Sequence, residues 1–380
     1  MKEKTFGVVI GKFYPLHRGH VDLIQKASTQ VDQLFVVVSH SDTRDANLFM
    51  DSKMKRPLTA RTKLKIVQKT FQVQRDIIIP VLVDESNVPE YPNGWKPWAQ
   101  LVKDAIAEKK RVVPDFNWEN TVFFSSEPQD AEGYMTYFGC KTKIVDENRD
   151  IIDISATKVR NDPAKYWDYL PRASREALAP TIVIAGGESS GKTLMTDKLG
   201  NFFGTTTVWE YGRHFCELEL GGDESALQYS DYQDIANGHY SDVKFARRNA
   251  NRFTISDTDY IATQAFCITY EGKPHPSVQD KIDNDRFDLV ILLDNSTEWV
   301  DDGMRLIGDS DRRKAFQQLL KDLYKENHIP YVEIKASDYE TRYEMCKKII
   351  QSYIYNDTSV DALQLMVDTM WKEELICRHL

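Results

Sequence analysis

The sequence predicts an α/β protein of two domains, each with a parallel β-sheet flanked by helices. Three observations lead to this prediction. The chain has 380 residues, more than one domain usually contains. Short β-rich runs alternate with helical stretches along the whole chain, which is typical of parallel sheets. The runs are continuously apolar rather than alternating, as expected for strands that are buried on both faces.

The predicted strands form two groups of five. The first half contains TFGVVIGKF, QLFVVVSH, DIIIPVLVD, TVFFSSE and TKIVDE, at 5–13, 33–40, 76–84, 121–127 and 142–147. The second half contains TIVIAGG, TTVWEY, RFTISDTD, LVILLDN and PYVEIKA, at 181–187, 206–211, 252–259, 289–295 and 330–336. Between them, PRASREALAP is rich in Pro and Ala and carries no strand signal. We therefore expect domains at 1–170 and 181–380, joined by a linker at 171–180.

Composition argues against several classes of protein. A hydrophobic fraction of 41% is enough for packed cores and unlike that of a disordered chain. The net charge of −9 argues against a general nucleic-acid binder, although a local pocket can still attract small anions. The five cysteines form no CxxC pair and are typical of reduced thiols. No apolar run approaches the roughly 18 residues that span a membrane, and the chain begins on a strand-like run rather than a signal peptide. We expect a cytoplasmic protein with no membrane insertion.

The first strand leads into GKFYPLHRGH, which contains the candidate residues of a first site. Gly11 lets the chain turn close to a ligand, and Phe13 follows it. His17 and His20 flank Gly19 where a helix should begin, so two imidazoles and the exposed backbone N–H groups can converge on one anion. Such a site suits attack by one phosphate on the α-phosphorus of a nucleoside triphosphate. The nucleophile is already an anion, so catalysis requires alignment and charge neutralisation rather than a base.

A second segment, ISATKVR, is expected to complete this site. Ser155 and Thr157 suit a helix N-terminus, and Arg160 offers a guanidinium to the polyphosphate one turn later. An ordinary capped helix is the alternative. Trp95 and Trp98 follow a Pro-Asn-Gly turn, and one of them could stack a cationic pyridinium ring. Core packing is the alternative for each tryptophan.

The second half opens with the pattern G-x-x-x-x-G-K-T between a strand and a helix. This is the Walker A context, in which backbone N–H groups cradle phosphates. Lys192 is expected to reach the β- and γ-phosphates, and Thr193 to hold Mg²⁺. The ATP-binding residues predicted here are Gly187, Glu188, Ser189, Ser190, Gly191, Lys192 and Thr193.

Acidic residues after the next two strands are candidates for contact with the phosphate acceptor. Glu210 stands between Trp209 and Tyr211 at one strand end, and Asp257 and Asp259 end the next strand. Carboxylates in this crevice can hold ribose hydroxyls or activate one as a nucleophile. We favour Glu210 or Asp257 as the base and Asp259 in substrate positioning, with a loop or helix-cap role as the alternative for each.

Three further predictions concern charged segments. DDGMRLIGDSDRR, at 301–313, is predicted to be a mobile lid that brings Arg305, Arg312 and Arg313 over the phosphates, with a solvated loop as the alternative. Asp294 is a candidate Walker B acid, with a structural role equally open. The basic stretch is expected to be mostly a solvated helix face; it comprises Lys53, Lys55, Arg56, Arg61, Lys63 and Lys65.

The C-terminal tail is predicted to be an amphipathic helix that covers its own domain. Its apolar positions are Val360, Leu363, Val367, Met370, Trp371 and Leu375. An oligomer contact is the alternative, so a homo-oligomer stays open.

Taken together, these motifs resemble the bifunctional nicotinamide-nucleotide adenylyltransferase/ribosylnicotinamide kinase (NadR-type) family. GKFYPLHRGH, YPNGW, VFFSSEPQD, SATK, GGESSGK, WEYGR, DTD and WVDDGMR occur in the family's order. The resemblance implies a Rossmann-like nucleotidyltransferase sheet followed by a P-loop kinase sheet. It implies a kinase that makes nicotinamide mononucleotide (NMN) from nicotinamide riboside and ATP. It also implies an adenylyltransferase that makes NAD and pyrophosphate from NMN and a second ATP, with Mg²⁺ as cofactor.

The resemblance also suggests roles for individual residues. His17, His20, Arg160, Lys192, Glu210 and Asp257 would be catalytic. ATP in the first domain would contact Gly11, Phe13, Gly19, Ser155 and Thr157. The pyridine nucleoside or nucleotide would contact Trp95, Trp98, Trp209, Tyr211 and Asp259.

Some family members carry an N-terminal helix-turn-helix module. The first predicted strand leaves no room for one, so we expect no nucleic-acid partner. Ala156 stands where many related nucleotidyltransferases have serine, while Ser155, Thr157 and Arg160 remain. Two other functions stay open: a kinase fused to a nucleotide sensor, and an adenylyltransferase for a different phosphate acceptor joined to a kinase of unrelated substrate.

Overall fold

The computed structural model describes residues 3–89, 93–145, 152–295 and 310–378. The chain divides into two compact units, Met1–Leu178 and Ala179–Leu380. Each unit contains a five-stranded sheet in which all neighbouring strands are parallel. Among the described helices, none combines the length and the apolar character needed to cross a bilayer.

The first sheet has the strand order β3-β2-β1-β4-β5. Its strands are β1 (Phe6–Gly11), β2 (Gln33–His40), β3 (Ile78–Asp84), β4 (Thr121–Ser125) and β5 (Lys141–Ile144). The helices of this unit are α1 (Arg18–Ser28), α2 (Asp42–Met50), α3 (Ala60–Thr70), α4 (Trp95–Ala107), α5 (Ala131–Phe138), α6 (Ala156–Asn161) and α7 (Arg172–Leu178). The chain moves outwards from β1 to β3 and then returns to add β4 on the other side of β1. The carboxyl ends of β1 and β4 therefore border the crevice where open α/β sheets bind ligands.

The second sheet has the strand order β10-β9-β6-β8-β7. Its strands are β6 (Thr181–Gly186), β7 (Thr206–Val208), β8 (Thr254–Asp257), β9 (Leu289–Leu293) and β10 (Val332–Ile334). The helices of this unit are α8 (Lys192–Phe203), α9 (Tyr211–Glu219), α10 (Asp231–Asn249), α11 (Tyr260–Glu271), α12 (Pro276–Asn284), α13 (Ser310–Glu326), α14 (Tyr339–Tyr355) and α15 (Val360–Arg378).

The predicted fold class is confirmed, with two parallel sheets and strands at all ten predicted places. Every residue of the central strands β6 and β9 is buried, as their continuous apolar runs indicate. The edge strand β5 is partly exposed because only one neighbour covers it. The end of the run predicted at 142–147 lies outside the described residues, which stop at 145 before the next gap.

The segment assigned to a linker at 171–180 differs from expectation. Most of it forms α7, and Ser174 in that helix is fully buried and donates a hydrogen bond to the Leu16 carbonyl at 2.8 Å. A Pro- and Ala-rich composition therefore marked a short packed helix of the first unit. The C-terminal tail forms α15, whose Leu363 and Val367 are buried in the core of the second unit.

Candidate active sites

His17 and His20 cap the helix that they begin. The backbone N–H of His20 donates to Nδ1 of His17, and the backbone N–H of His17 donates to Nδ1 of His20, each at 3.4 Å. The two rings stack with centroids 3.7 Å apart. Because Nδ1 accepts in both rings, the neutral imidazoles carry their proton on Nε2. The reciprocal cap therefore gives both histidines the tautomer in which Nε2–H can donate to an anion.

The glycines and the phenylalanine of this motif support the histidines. Phe13 has φ 45° and is 2% exposed, and its ring meets that of His20 edge to face at 5.1 Å. A Cβ at Gly11 would lie 2.6 Å from the Phe13 ring, and one at Gly19 would lie 3.2 Å from the His17 ring. The contact of Phe13 with ATP stays a prediction. Because the ring is buried against His20, that contact would use the backbone of Phe13.

The second segment lies against the first motif, as the sequence predicts. Ser155 caps α6 by accepting a hydrogen bond from the Lys158 backbone at 3.2 Å. The Arg160 guanidinium donates to the Tyr14 carbonyl and to Thr157 Oγ1, both at 2.9 Å. These bonds hold a fixed cation beside the loop that leads to His17.

Lys12 joins this cationic region, although the sequence did not single it out. Desolvation, followed by the cations of Arg44 and Arg160, lowers the pKa of Lys12 below its ordinary value. Lys12 and Arg160 therefore lie near one another after β1, while Arg44 is paired with Asp45 and Glu85.

The two tryptophans are embedded in an aromatic cluster of the first unit. Trp95 lies nearly parallel to Tyr137 with centroids 5.8 Å apart, and it meets Trp98 edge to face at 5.3 Å. The Trp98 indole N–H donates to Glu85 at 3.0 Å. Both rings are partly buried against the core. This packing matches the alternative weighed for each residue, and a pyridinium contact stays a prediction.

Lys63 departs from the expected solvated helix face. Its side chain is fully buried, where its ammonium donates to the Ser39 carbonyl at 2.8 Å and pairs with Asp45. Desolvation acts to raise the pKa of Asp45, but Lys63 and Arg44 outweigh it and the pKa is lowered. A buried charge requires such a partner. Asp45 is 18 residues away in the chain, so no local pattern indicates the pair.

The Walker A segment forms a phosphate-binding loop between β6 and α8. Gly186 and Gly191 have φ values of 151° and 85°, and Ser189 has φ 59°. Lys192 begins α8, and its ammonium donates to the Gly187 carbonyl at 3.1 Å. Positive φ values turn successive backbone N–H groups towards one side of the loop, which is how such loops hold phosphates.

The backbone N–H of Gly187 has a partner within the protein, since it donates to Gln317 Oε1 at 3.1 Å. The contact of Gly187 with ATP stays a prediction. The neighbouring Ser190 hydroxyl donates to the Gly187 carbonyl at 2.8 Å and is likewise engaged within the loop.

Arg342, on α14, holds the same loop through hydrogen bonds, although no sequence motif marked this residue. Its guanidinium donates to the carbonyls of Ser190 at 2.8 Å, Ala336 at 2.5 Å and Asp294 at 3.1 Å. It also pairs with the Asp294 carboxylate at 2.5 Å. Asp294 therefore has a structural partner rather than the Walker B role that was weighed for it. No pattern near Arg342 could have indicated this, because Ser190 is 152 residues away.

Asp257 lies beside the predicted Mg²⁺ ligand. The Thr193 hydroxyl donates to Asp257 Oδ2 at 2.6 Å. Asp257 Oδ1 is buried and has no hydrogen-bond partner among the described residues. Burial, followed by the nearby Glu210 charge, raises the pKa of Asp257 to about 6. An unpaired buried carboxylate oxygen beside a threonine hydroxyl suits a hard cation such as Mg²⁺.

Asp259 does not share the crevice with Asp257, contrary to the prediction. Its Oδ1 accepts from the Ala262 N–H, and its Oδ2 accepts from the Tyr324 hydroxyl, each at 2.9 Å. Burial raises the pKa of Asp259 to about 6. The reason lies in the residue between the two acids, since Thr258 has φ 85° and ends the alternation of the strand. Asp259 is thus the N-cap of α11.

One cavity adjoins the loop, and a second, smaller one adjoins the first. The P-loop cavity, about 480 Å³, is lined by Glu188, Ser189, Gly191, Lys192, Thr193, Leu194, Asp197, Trp209, Glu210, Arg213, Glu224, Phe266 and Tyr339. The smaller α10 cavity is lined by Glu210, Tyr211, Gly212, Arg213, Cys216, Glu224, Leu227, Tyr232, Ile235, His239, Thr258, Thr263, Phe266 and Tyr270. Glu210, Arg213, Glu224 and Phe266 belong to both, so the cavities meet at these side chains.

The residues around Glu210 differ from the predicted strand end. The strand β7 stops at Val208, and Glu210 is the N-cap residue of α9. Trp209 is half-exposed on the P-loop cavity. The ring of Tyr211 lies over Gly238, where a Cβ would come within 2.0 Å of it. The helix start places Glu210 between the two cavities.

The predicted lid falls mainly outside the described residues. Arg305 and the rest of 301–309 belong to that part of the chain. Arg312 and Arg313 lie in the first turns of α13 rather than in a loop, with Arg312 exposed and Arg313 buried. Neither lines the P-loop cavity.

The two folds and their sites define a class: a nucleotidyltransferase-like domain followed by a P-loop domain. Residues 8–162 match the cytidylyltransferase-like family, and residues 181–342 match an AAA domain.

Two curated relatives match both halves. The trifunctional NAD biosynthesis/regulator proteins NadR of Salmonella typhimurium and Escherichia coli are each 45% identical over 350 residues, which are 92% of this chain and 83% of the relative. A crystal structure of NadR in complex with NR has the same fold, with a TM-score of 0.75 and 23% identity over 92% of this chain and 96% of that one. The chain belongs to the NadR family.

Proposed function

We propose that this chain is a bifunctional enzyme of NAD biosynthesis. Its second unit phosphorylates nicotinamide riboside with ATP, and its first unit joins the resulting NMN to the adenylyl group of a second ATP. Family membership supports the pair of reactions. The observation that carries the assignment is that each unit has its own phosphate-binding residues at the carboxyl ends of its own parallel sheet. We also propose a cytoplasmic location, which the use of ATP as co-substrate supports.

The kinase reaction uses the two adjoining cavities. ATP binds the P-loop, where Lys192 neutralises the β- and γ-phosphates. The riboside occupies the α10 cavity with its 5′-hydroxyl towards Glu210. Glu210 lines both cavities and is therefore placed to accept the hydroxyl proton as the bond to phosphorus forms. Trp209 and Tyr211 border the two cavities beside it.

Mg²⁺ fits this site. Thr193 Oγ1 and the unpaired Oδ1 of Asp257 would hold the ion or its water shell, and both are the oxygen ligands that Mg²⁺ prefers. The ion would supply positive charge to the phosphates. Asp257 thus serves the metal, while Glu210 serves the substrate. No group of three or more His, Cys, Asp or Glu side chains suited to a metal occurs in the described part of the chain.

The adenylyl transfer needs no general base, because the phosphate of NMN is already a nucleophile. His17 and His20 donate Nε2–H to the oxygens on which negative charge develops. Arg160 and Lys12 add fixed and mobile positive charge beside them. Preorganised donors in the correct tautomer favour catalysis over the alternative of a domain that only senses nucleotide.

The two activities are expected to separate. With nicotinamide riboside and ATP, the protein should form NMN and then NAD, measured separately by chromatography. Lys192→Ala should stop NMN formation and still make NAD from supplied NMN. His20→Ala should lower adenylyl transfer by about 10²–10³ and leave phosphorylation intact, since one transition-state donor is lost.

A matched control is Lys198→Ala, an exposed lysine on the same helix as Lys192. It should retain both activities. Equal loss of both activities in a folded Lys192→Ala or His20→Ala variant would contradict the two-site assignment.

A further inference from the structure

The α10 cavity contains three buried polar atoms that lack partners. Tyr232 Oη, His239 Nδ1 and Thr258 Oγ1 have no hydrogen-bond partner among the described residues. All three residues line this cavity. Buried polar atoms are normally paired, so three unpaired atoms around one cavity indicate a site for a polar ligand group.

The fold holds these residues in place. Tyr232, Ile235 and His239 lie on one face of α10, at spacings that bring helical side chains together. Thr258 has φ 85°, an unusual conformation for a β-branched residue. Strain of this kind persists where the surrounding structure enforces it, and it occurs preferentially at functional sites.

The tautomer of His239 follows from its neighbours. The Ser256 hydroxyl donates its only proton to the Thr258 carbonyl at 2.8 Å. Ser256 Oγ also lies 3.2 Å from His239 Nε2, so here it must act as the acceptor. Nε2 therefore carries the imidazole proton, and Nδ1 presents a lone pair that lacks a donor.

Burial fixes the charge state of these groups. Desolvation lowers the pKa of His239 to about 4, although the Thr258 backbone acts in the opposite direction. The imidazole is thus neutral near pH 7, and Nδ1 remains an acceptor. Burial raises the pKa of Tyr232, which remains a protonated donor. The cavity therefore offers one acceptor and hydroxyl donors, a pattern complementary to a primary amide.

We propose that His239 Nδ1 accepts a hydrogen bond from the carboxamide N–H of nicotinamide riboside and thereby selects it over nicotinic acid riboside. This inference rests on the proposed kinase function. The Tyr232 hydroxyl donates to the carboxamide oxygen. A carboxylate has no proton for Nδ1 and would set a negative oxygen against its lone pair. With the 5′-hydroxyl at Glu210, the pyridine ring points towards the α10 cavity, around which the three unpaired polar atoms lie.

The test is the ratio of kcat/KM for nicotinamide riboside to that for nicotinic acid riboside. The wild-type ratio should exceed about tenfold, since an unmatched buried acceptor rejects the wrong partner. His239→Phe keeps the ring shape and removes the acceptor, so the ratio should fall by about tenfold, through loss of the amide reaction. Tyr232→Phe is the matched control, because both substrates accept from its hydroxyl. It should weaken both reactions alike and leave the ratio unchanged.

His239→Asn is a second variant, which keeps the inference testable if His239→Phe does not fold. The asparagine amide can turn either its oxygen or its NH₂ towards the ligand. The ratio should therefore fall, because kcat/KM for nicotinic acid riboside rises. Circular dichroism identifies the folded variants. A wild-type enzyme that does not discriminate, or a ratio unchanged in the folded His239 variants, overturns the inference while the kinase function stands. A wild-type enzyme that phosphorylates neither riboside overturns the proposed function and this inference with it.

Discussion

At the scale of single residues, two neighbouring acids of the second unit have different environments. Asp257 is fully buried, and one of its oxygens accepts from Thr193. Glu210 lines both cavities and is only half-buried. A base must reach the substrate proton, whereas a metal-holding carboxylate must reach the ion beside the P-loop. Their surroundings support the roles proposed above, the base for Glu210 and the metal-holding carboxylate for Asp257.

Amide replacements should distinguish these roles. Glu210→Gln should lower single-turnover phosphorylation by about 10²–10⁴ with riboside affinity retained, because only the proton acceptor is lost. Asp257→Asn should instead raise the Mg²⁺ concentration needed for half-maximal rate. Asp259→Asn, at the buried cap of α11, is the control and should keep near-normal turnover. The measurements are single-turnover kinetics, riboside binding and a Mg²⁺ titration. Normal turnover in Glu210→Gln would rule out a carboxylate base at this place.

At this scale, residues in compact motifs could be predicted from the sequence, and residues with distant partners could not. The paired histidines and the Walker A residues stand in compact motifs, so local spacing was enough to predict that each set lies together at the start of a helix. Asp259 was misplaced because a two-residue alternation assumes regular strand, and the left-handed Thr258 breaks it. The partners of Lys63 and His239 lie 18 and 17 residues away, so neither local charge nor hydropathy indicates them.

At the scale of elements, the helix α14 stabilises the phosphate loop through one side chain. Arg342 connects the P-loop at Ser190 with the segment after β9 at Asp294 and with Ala336 after β10. The guanidinium donates from three nitrogens spread over one plane, whereas a lysine ammonium donates from a single nitrogen. The loop that binds phosphate is therefore held from outside its own motif.

Replacing Arg342 should affect the kinase alone. Arg342→Lys keeps the charge but loses the fork, so the loop shifts and kinase kcat/KM for ATP should fall by about 10–10²-fold. Adenylyl transfer from supplied NMN should not change. Lys348→Ala, an exposed residue on the same helix, is the matched control. Steady-state kinetics with varied ATP, together with a melting curve, provide the measurement. An unchanged KM and kcat for ATP in the Arg342→Lys variant would contradict a positioning role.

Element boundaries were predictable where a run of apolar residues ends abruptly. The strand predicted at 33–40 matches β2 residue for residue. The run predicted at 206–211 was too long, because the aromatic residues Trp209 and Tyr211 favour a strand in any local reading. In the structure Trp209 is half-exposed and Tyr211 packs on Gly238. These rings line the two cavities and do not belong to the sheet.

At the scale of the whole molecule, the chain combines two reactions whose shared intermediate is NMN. The product proposed for the second unit is the substrate proposed for the first, and the two units are separate compact parts of the chain. A net charge of −9 does not prevent this, because Lys12 and Arg160 place positive charge together in the first unit. Composition left small anionic substrates open, and the motifs predicted which ones.

Two variants that each lack one activity should together carry out both reactions when they are mixed. His20→Ala can still make NMN, and Lys192→Ala can still use it. From nicotinamide riboside, Lys192→Ala alone should form no NAD, and His20→Ala alone should form it about 10²–10³ times more slowly than the wild type. The mixture should form NAD much faster than either, after a lag that shortens as protein concentration rises. Time courses of NMN and NAD at several concentrations are the measurement. A mixture that forms no NAD, although each variant performs its own half-reaction, would contradict transfer through free NMN.

The reciprocal cap of α1 affects how the first activity could be lost during evolution. Replacing either histidine with alanine removes an end bond of the helix as well as a donor to phosphate, so the change weakens folding and chemistry together. Serine or asparagine at position 17 would still accept the His20 N–H while removing the imidazole. A descendant that abandons adenylyl transfer can therefore keep a stable first domain by such a polar replacement, whereas alanine at the same place carries a penalty in stability.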